Sequence, residues 1–80
     1  MGKNWVDVIC MHDKNGAIQP LVLIWEDGNK YYIDKVLNVV FRASLKSGGV
    51  GLRYTCRIQN QQRYLFLEND RWFVEKCDVI

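Results

Sequence analysis

Hydrophobic and polar residues alternate along most of this chain with a period of two, which is the spacing of a β-strand that buries one face. The alternation predicts a first strand over residues 5–12, a second over about residues 17–25 and a third that begins near residue 30. Residues 13–16 are Asp-Lys-Asn-Gly and predict a turn between the first two strands. Pro20 lacks a backbone donor, so it indicates an edge or a bulge in the second strand.

The dipeptide of Asp27 and Gly28 predicts a tight hairpin, because both central residues of a type I′ turn need positive φ angles. A two-residue loop at this point fixes three cross-strand pairs: Ile24 with Tyr31, Val22 with Ile33, and Leu23 with Tyr32. Both faces of this hairpin therefore carry apolar side chains.

The stretch from residue 33 to residue 45 is compatible with two structures. Its apolar positions fit the spacing of an amphipathic helix, whereas Val36, Val39 and Val40 favour a strand. Because the flanking segments are strands, we interpret it as a long bent strand. Residues 46–51, Lys-Ser-Gly-Gly-Val-Gly, then form a loop within the domain.

The second half of the chain predicts three more strands. Residues 52–59 alternate, Asn60 and Gln61 turn the chain into a strand over residues 63–68, and Asn69 and Asp70 turn it into a strand over residues 72–77. The predicted fold class is all-β. Residues 1–80 form one domain, in which a six-stranded antiparallel meander curls into an SH3-like or similar small barrel.

Two-residue turns sort the side chains of the last three strands onto two faces. The expected core face consists of Tyr54, Cys56, Leu65, Leu67, Trp72 and Val74. The opposite face combines basic and aromatic side chains in five expected pairs: Arg53 with Glu68, Thr55 with Phe66, Arg57 with Tyr64, Phe73 with Phe66, and Glu75 with Tyr64. This opposite face is the main functional candidate.

Arginine and aromatic side chains on one sheet face fit two kinds of role. Single-stranded nucleic acid binds such surfaces, because bases stack on the rings while guanidinium groups contact phosphates. In this hypothesis the binding residues are Arg53, Arg57, Tyr64, Phe66 and Phe73, with Arg71 and Lys46 at the rim. Cation–π and ion pairs also stabilise ordinary sheets without a ligand. The net charge of +2 is too small to decide for nucleic acid.

The composition is that of a folded domain, with 49% hydrophobic and 25% charged residues. Residues 21–25 form the longest strongly apolar stretch, far shorter than the roughly 20 residues of a transmembrane helix. The N-terminal residues do not resemble a signal peptide. Cys10, Cys56 and Cys77 are isolated and odd in number, so we expect reduced thiols in a cytoplasmic protein.

Metal and catalytic sites have little support in the sequence. Four residues carry zinc-ligating atoms: Cys10, His12, Cys56 and Cys77. They are not spaced as close pairs from tight turns, as structural zinc ligands are. Cys10 and His12 pair a thiol with a base, but no spacing identifies a catalytic site. The glycine-rich loop leads into a strand rather than into the helix of a phosphate-binding loop. We expect no metal, no cofactor and no enzymatic activity.

Several short stretches carry a family resemblance: Pro-Leu-Val-Leu-Ile-Trp at residues 20–25, Gly28, Tyr32 with Ile33, Val36, Arg53 with Tyr54, Tyr64 with Leu65, and Arg71 with Trp72. Over about residues 18–76 the chain resembles short uncharacterised bacterial domains, some of which are associated with Y-family DNA-polymerase-like proteins. The chain departs from that pattern at residues 53–57 and lacks an Asp-Tyr pair after its last tryptophan-containing strand. The resemblance implies a small β-rich fold of unknown function, a DNA-related context and no established catalytic residues.

The sequence supports two functional hypotheses. The first is a non-enzymatic interaction module that self-associates, or binds a protein partner, through an aromatic patch of Tyr64, Phe66 and Phe73. It rests on the apolar side chains of both sheet faces, which exceed what one core of 80 residues encloses. It expects a homodimer that a Phe66→Glu change dissociates without unfolding. The alternative is the single-stranded nucleic-acid-binding module.

Overall fold

A computed structural model describes residues 2–43 and 50–75 of the chain. It contains six strands: β1 (Lys3–His12), β2 (Ile18–Ile24), β3 (Lys30–Ala43), β4 (Val50–Ile58), β5 (Gln61–Glu68) and β6 (Arg71–Glu75). Each strand pairs antiparallel with the next, and β1 pairs with β6, which closes the sheet into a barrel. The predicted all-β fold is confirmed, as is the strand interpretation of the stretch from residue 33, as far as Ala43. The predicted loop over residues 46–51 is wrong at its end, because Val50 and Gly51 belong to β4, and its first four residues lie outside the described part of the chain.

The core fills the inside of the barrel. Its buried residues are Leu23, Tyr54, Cys56, Ile58, Leu65, Leu67, Trp72 and Val74. The six residues predicted for the core face of the last three strands are all among them, because a strand with period-two alternation buries one face. Alternate residues of β1, including Val6, Val8 and Cys10, pack against this core. Side chains that point away from it form the outer face.

Asp13 organises the turn between β1 and β2. Its carboxylate oxygen Oδ1 accepts hydrogen bonds from the backbone N–H groups of Asn15 and Ala17, at 2.8 Å and 2.9 Å. The Gly16 N–H donates to the Asp13 carbonyl at 3.0 Å, and Gly16 has a φ of 86°. This confirms the predicted turn. The register of β1 on β2 then shifts beside Pro20, so the predicted bulge is also present.

The hairpin between β2 and β3 has a three-residue loop, so the predicted two-residue loop at Asp27 and Gly28 is wrong. The Gly28 N–H donates to the Trp25 carbonyl, and the Trp25 N–H donates to the Asn29 carbonyl, both at 2.8 Å. Only Gly28 has a positive φ, 87°, as in a type I turn followed by a bulge. The Asp27 carboxylate accepts bonds from the backbone and side-chain N–H groups of Asn29, both at 2.9 Å, and these stabilise the loop.

The longer loop moves the β2–β3 register by one residue. The observed pairs are Val22 with Tyr32, Leu23 with Tyr31, and Ile24 with Lys30. A shift of one residue reverses the faces of the incoming strand. Tyr31 therefore packs against the core beside Leu23, and Tyr32 lies on the outer face with 68% of its surface exposed.

The turn between β4 and β5 lies one residue earlier than predicted. Gln59 and Asn60 occupy it, with φ angles of 52° and 61°. The observed pairs are Arg53 with Phe66, Thr55 with Tyr64, Arg57 with Gln62, and Gly51 with Glu68. The predicted pairs Arg53–Glu68, Thr55–Phe66 and Arg57–Tyr64 are wrong by two residues. A shift of two residues leaves each side chain on the same face of the sheet, so the predicted core residues are still the buried ones. It also pairs Leu52 with Leu67.

The last turn matches its prediction. Asn69 and Asp70 have φ angles of 51° and 63°, and the two-residue loop pairs Phe66 with Phe73 as expected. Glu75, which was expected near Tyr64, lies opposite Lys3 of β1. The pairing of β6 with β1 brings the two ends of the described chain together. It also places Trp5 of β1 beside Phe73, on the side opposite Phe66.

Candidate interaction surfaces

Three aromatic side chains form a row across the outer face of β1, β6 and β5. Trp5 lies opposite Phe73, and Phe73 lies opposite Phe66. The Phe66 and Phe73 rings are stacked, with centroids 4.9 Å apart and planes 8° from parallel. The Trp5 ring meets Phe73 edge-on at 5.2 Å. We call these three residues the aromatic row.

Cationic side chains lie over the aromatic row and its neighbour Tyr64. The Lys3 ammonium lies 4.9 Å from the centroid of Phe73 and forms an ion pair with Glu68 at 2.9 Å. The Arg71 guanidinium lies 4.0 Å from the Trp5 ring, and that of Arg53 lies 4.9 Å from the Tyr64 ring. These are the cross-strand contacts that stabilise a sheet without a ligand.

The two phenylalanines of the row are therefore covered by their own chain. Phe66 is 6% exposed and Phe73 is 7% exposed, whereas Trp5 at the edge of the row is 40% exposed. A ligand on this face would contact Trp5, the part-buried Tyr64 and the cations before it reached either phenylalanine.

The structure brings Arg53, Tyr64, Phe66 and Phe73 together, as the sequence predicted. Arg57 also lies on this outer face but further along β4, between Gln62 of β5 and Lys35 of β3. Arg71 contacts Trp5 at the rim. Lys46 lies outside the described residues.

Among the described residues of this face, one buried polar atom lacks a hydrogen-bond partner and two cations lie directly opposite each other. The Nε atom of Arg53 is shielded from solvent and has no hydrogen-bond partner in the described part of the chain. Arg57 and Lys35 are like charges at directly opposed positions of an antiparallel pair, an arrangement that destabilises a sheet. An anion between Arg57 and Lys35 would relieve the repulsion of that pair.

A second surface, on the outer face of β1, β2 and β3, was not singled out by the sequence. Ile9, Val22 and Tyr32 are cross-strand neighbours there. Ile9 is 48% exposed and Tyr32 is 68% exposed, and Val22 between them is 9% exposed. Met11, next along the same face of β1, is 44% exposed. The sequence does indicate an apolar outer surface here, because both faces of the β2–β3 hairpin carry apolar residues.

A groove opens between β2 and β3, which share only the three pairs next to their loop. β3 leaves β2 after Tyr32 and pairs with β4, and two register shifts bend it on the way. The groove has a volume of about 690 Å³, with Ile33, Val36 and Tyr54 among its lining residues. Pro20 and the β3 bulges lie along its edges and are features that discourage the addition of another strand.

The cysteine and histidine side chains of the described residues form no metal-binding group. Cys56 is fully buried, and this burial raises the pKa of its thiol to about 11, so the thiol stays protonated at neutral pH. Cys10 is half-buried against the core, and His12 is exposed at the end of β1. Within residues 2–43 and 50–75, no three His, Cys, Asp or Glu side chains are grouped closely enough to hold a metal ion. Cys77 lies outside this part of the chain.

Comparison with known proteins identifies no relative: no family model matches the sequence, and no curated protein or solved structure matches it significantly. The described residues include no helix of the length and hydrophobicity needed to cross a membrane. Any function must therefore be inferred from the two outer surfaces themselves.

Proposed function

We propose that this domain is a non-enzymatic interaction module that forms a homodimer through the outer face of β1, β2 and β3. The observation that carries the proposal is the apolar row of Ile9, Val22 and Tyr32, with Met11 beside it. We call these four residues the dimer patch. They point away from a core that is already filled by buried side chains of β2, β4, β5 and β6. Contiguous apolar residues on such a surface are typical of protein contact sites.

A second copy of the chain fits this surface because its charges are self-complementary. The next row of the same outer face is Asp7, Ile24 and Lys30, with one charge of each sign on either side of an apolar residue. In a two-fold contact, a residue of one copy meets a different residue of the other, and the reverse contact is equivalent. Asp7 of each copy can then face Lys30 of the other, around the apolar patch.

The alternative surface, the aromatic row, is less suited to self-association. Phe66 and Phe73 are almost completely covered by neighbouring side chains of the same chain. Two copies meeting there would oppose Lys3, Arg53 and Arg71 with the same cations of the partner, which disfavours the contact. The proposal therefore moves the contact from Phe66 and Phe73 to Ile9 and Tyr32.

Sedimentation equilibrium from low to high micromolar concentration tests this proposal. We expect the wild-type chain to dimerise and Tyr32→Glu to be monomeric with an unchanged β-sheet circular dichroism spectrum. Phe41→Glu is the matched control, because Phe41 is 67% exposed and Tyr32 is 68% exposed, but Phe41 lies outside the dimer patch. A monomeric wild type at high micromolar concentration, or equal dissociation of both variants, contradicts the proposal.

A further inference from the structure

We propose that the outer face of β1, β6, β5 and β4 binds single-stranded nucleic acid. The site consists of the cations Lys3, Arg53, Arg57 and Arg71 and the accessible rings of Trp5 and Tyr64. We call it the cationic face. The proposal does not depend on dimerisation, because none of these residues belongs to the dimer patch.

The charges on the cationic face favour a polyanion. Its four cations are accompanied by three outer-face carboxylates, Asp7, Glu68 and Glu75, and Glu68 already forms an ion pair with Lys3. Arg57 lies directly opposite Lys35 of β3, so the positive charge continues onto the next strand without a compensating partner at that position. A phosphate between these two side chains would relieve their repulsion.

The guanidinium groups are arranged to bind phosphate oxygens. The Arg53 guanidinium lies 4.9 Å from the centroid of the Tyr64 ring, and that of Arg71 lies 4.0 Å from the centroid of the Trp5 ring. A guanidinium group carries several N–H donors, and those that are not buried can bind phosphate oxygens. The Arg53 Nε atom is shielded from solvent, so on this residue the terminal N–H groups are the candidates for contact with a phosphate oxygen.

The aromatic rings favour nucleic acid over an acidic peptide, and a single strand over a duplex. Trp5 is 40% exposed and Tyr64 is part-buried, so each offers some ring surface to an unstacked base. Bases within a duplex are already stacked on each other. Three strand spacings separate Trp5 from Arg53, roughly 14 Å in all. That distance suits a short site on a single strand.

Fluorescence anisotropy with a labelled oligothymidine tests the proposal with the full chain. If two to four phosphates are contacted, a plot of log affinity against log salt concentration should have a slope of roughly −1.4 to −2.8. Arg57→Gln and Lys35→Gln should each reduce the magnitude of the slope by about 0.7, and both residues are exposed, so the fold should be unaffected. Trp5→Ala should weaken binding about 5- to 150-fold with little change in slope.

Two control variants separate binding at the cationic face from binding elsewhere on the barrel. Lys14→Gln removes an exposed cation in the β1–β2 turn and should change neither affinity nor slope. The monomeric Tyr32→Glu variant should bind as the wild type does, so a failure of dimerisation leaves this test intact. The proposal is overturned by absent binding at low salt, by equal affinity for a matched duplex, or by displacement of the oligonucleotide by polyglutamate at equal charge concentration.

Discussion

The Tyr54 hydroxyl donates a hydrogen bond of 2.6 Å to the backbone carbonyl of Ile18. Tyr54 lies in β4 and Ile18 in β2, two strands that are not neighbours in the barrel. The bond crosses the barrel at the groove, where β2 and β3 have no ladder between them. It therefore stabilises the start of β2 at the groove, where β2 has no backbone hydrogen bonds to β3.

Removal of this hydroxyl should loosen the start of β2. We expect Tyr54→Phe to lower the free energy of unfolding by about 1 kcal/mol, because one hydrogen bond is lost while water at the groove can still reach the Ile18 carbonyl. Urea denaturation measures the loss, and hydrogen exchange should accelerate in residues 18–21. Phe41→Leu changes a side chain that is 67% exposed and lies outside the dimer patch, so it should stay within about 0.5 kcal/mol of wild type. Equal midpoints for the two variants would contradict the assignment.

The outer-face phenylalanines should behave as core residues. Phe73→Ala removes a ring that is 7% exposed and is packed between Phe66 and Trp5, so we expect a loss of about 3 kcal/mol. Phe41→Ala is the control, since its ring is 67% exposed and its loss should cost less than about 0.5 kcal/mol. Urea denaturation at one protein concentration compares them.

The same burial changes the expected result for Phe66→Glu. A carboxylate in place of a side chain that is 6% exposed would be desolvated, so we expect loss of the folded state rather than dissociation of a folded dimer. Circular dichroism and sedimentation on the same sample distinguish these outcomes. A folded monomer would restore Phe66 as a contact residue between copies.

The alternation of the sequence was sufficient to predict most of the strands and the core face of the last three, although Ile58 was not assigned to that face. Residues such as Leu65, Leu67 and Trp72 recur with the period of a strand, and burial follows that period whatever the register. For this reason the core prediction was right even though the β4–β5 register was wrong by two residues. A period of two is unchanged by an even shift.

Loop lengths were harder to predict, because several turns suit the same residues. Gly28 provides a positive φ in a two-residue loop and in a three-residue loop, and the hydrogen bonds of Asp27 favour the second. Gln59 adopts a positive φ that glutamine seldom takes, so nothing in its type places it in a turn. Both errors arise from local geometry that residue types alone do not determine.

The alternation of the sequence also does not predict how exposed each outer-face side chain is. Phe73 and Tyr32 are both aromatic residues on outward positions, yet one is 7% exposed and the other is 68% exposed. Phe73 is covered because barrel closure sets it beside Trp5, which lies at the opposite end of the described chain. The aromatic patch was thus predicted as a cluster, but its coverage depends on the pairing of β1 with β6.

The strained turn at Gln59 offers a stabilising substitution. We expect Gln59→Asn to raise the free energy of unfolding by about 0.5 kcal/mol, because asparagine tolerates the left-handed backbone region better than glutamine does. Gln62→Asn, in an exposed position of β5, is the control and should be neutral or slightly destabilising. Thermal denaturation of both variants checks the sign. A lower midpoint for Gln59→Asn than for the control would show that the turn is formed differently.

Buried thiol and phenol groups should make the fold sensitive to alkaline pH. Burial raises the pKa of Cys56 from 9.0 to about 11, and the pKa of Tyr54 is also raised, first by burial and then by the nearby thiols of Cys10 and Cys56. Between pH 9 and pH 11 the Cys56 thiol is ionised in the unfolded chain but protonated in the folded one. The unfolded state then binds fewer protons, so stability falls as the pH rises.

Urea denaturation from pH 8 to pH 11 measures this dependence on the wild type and on Cys56→Ala. Below pH 9 the protonated Cys56 thiol makes its full contribution to the free energy of unfolding. Above pH 9 that free energy falls by up to about 1.4 kcal/mol per pH unit, until the pH reaches the pKa of about 11 that the thiol has in the folded protein. Cys56→Ala should be less stable at pH 8, because it leaves a cavity, but its stability should fall less steeply across this window. Phe41→Ala changes an exposed side chain that carries no titratable group and should keep the wild-type slope. Parallel curves for wild type and Cys56→Ala would mean that the thiolate is accommodated in the folded barrel as easily as in the unfolded chain.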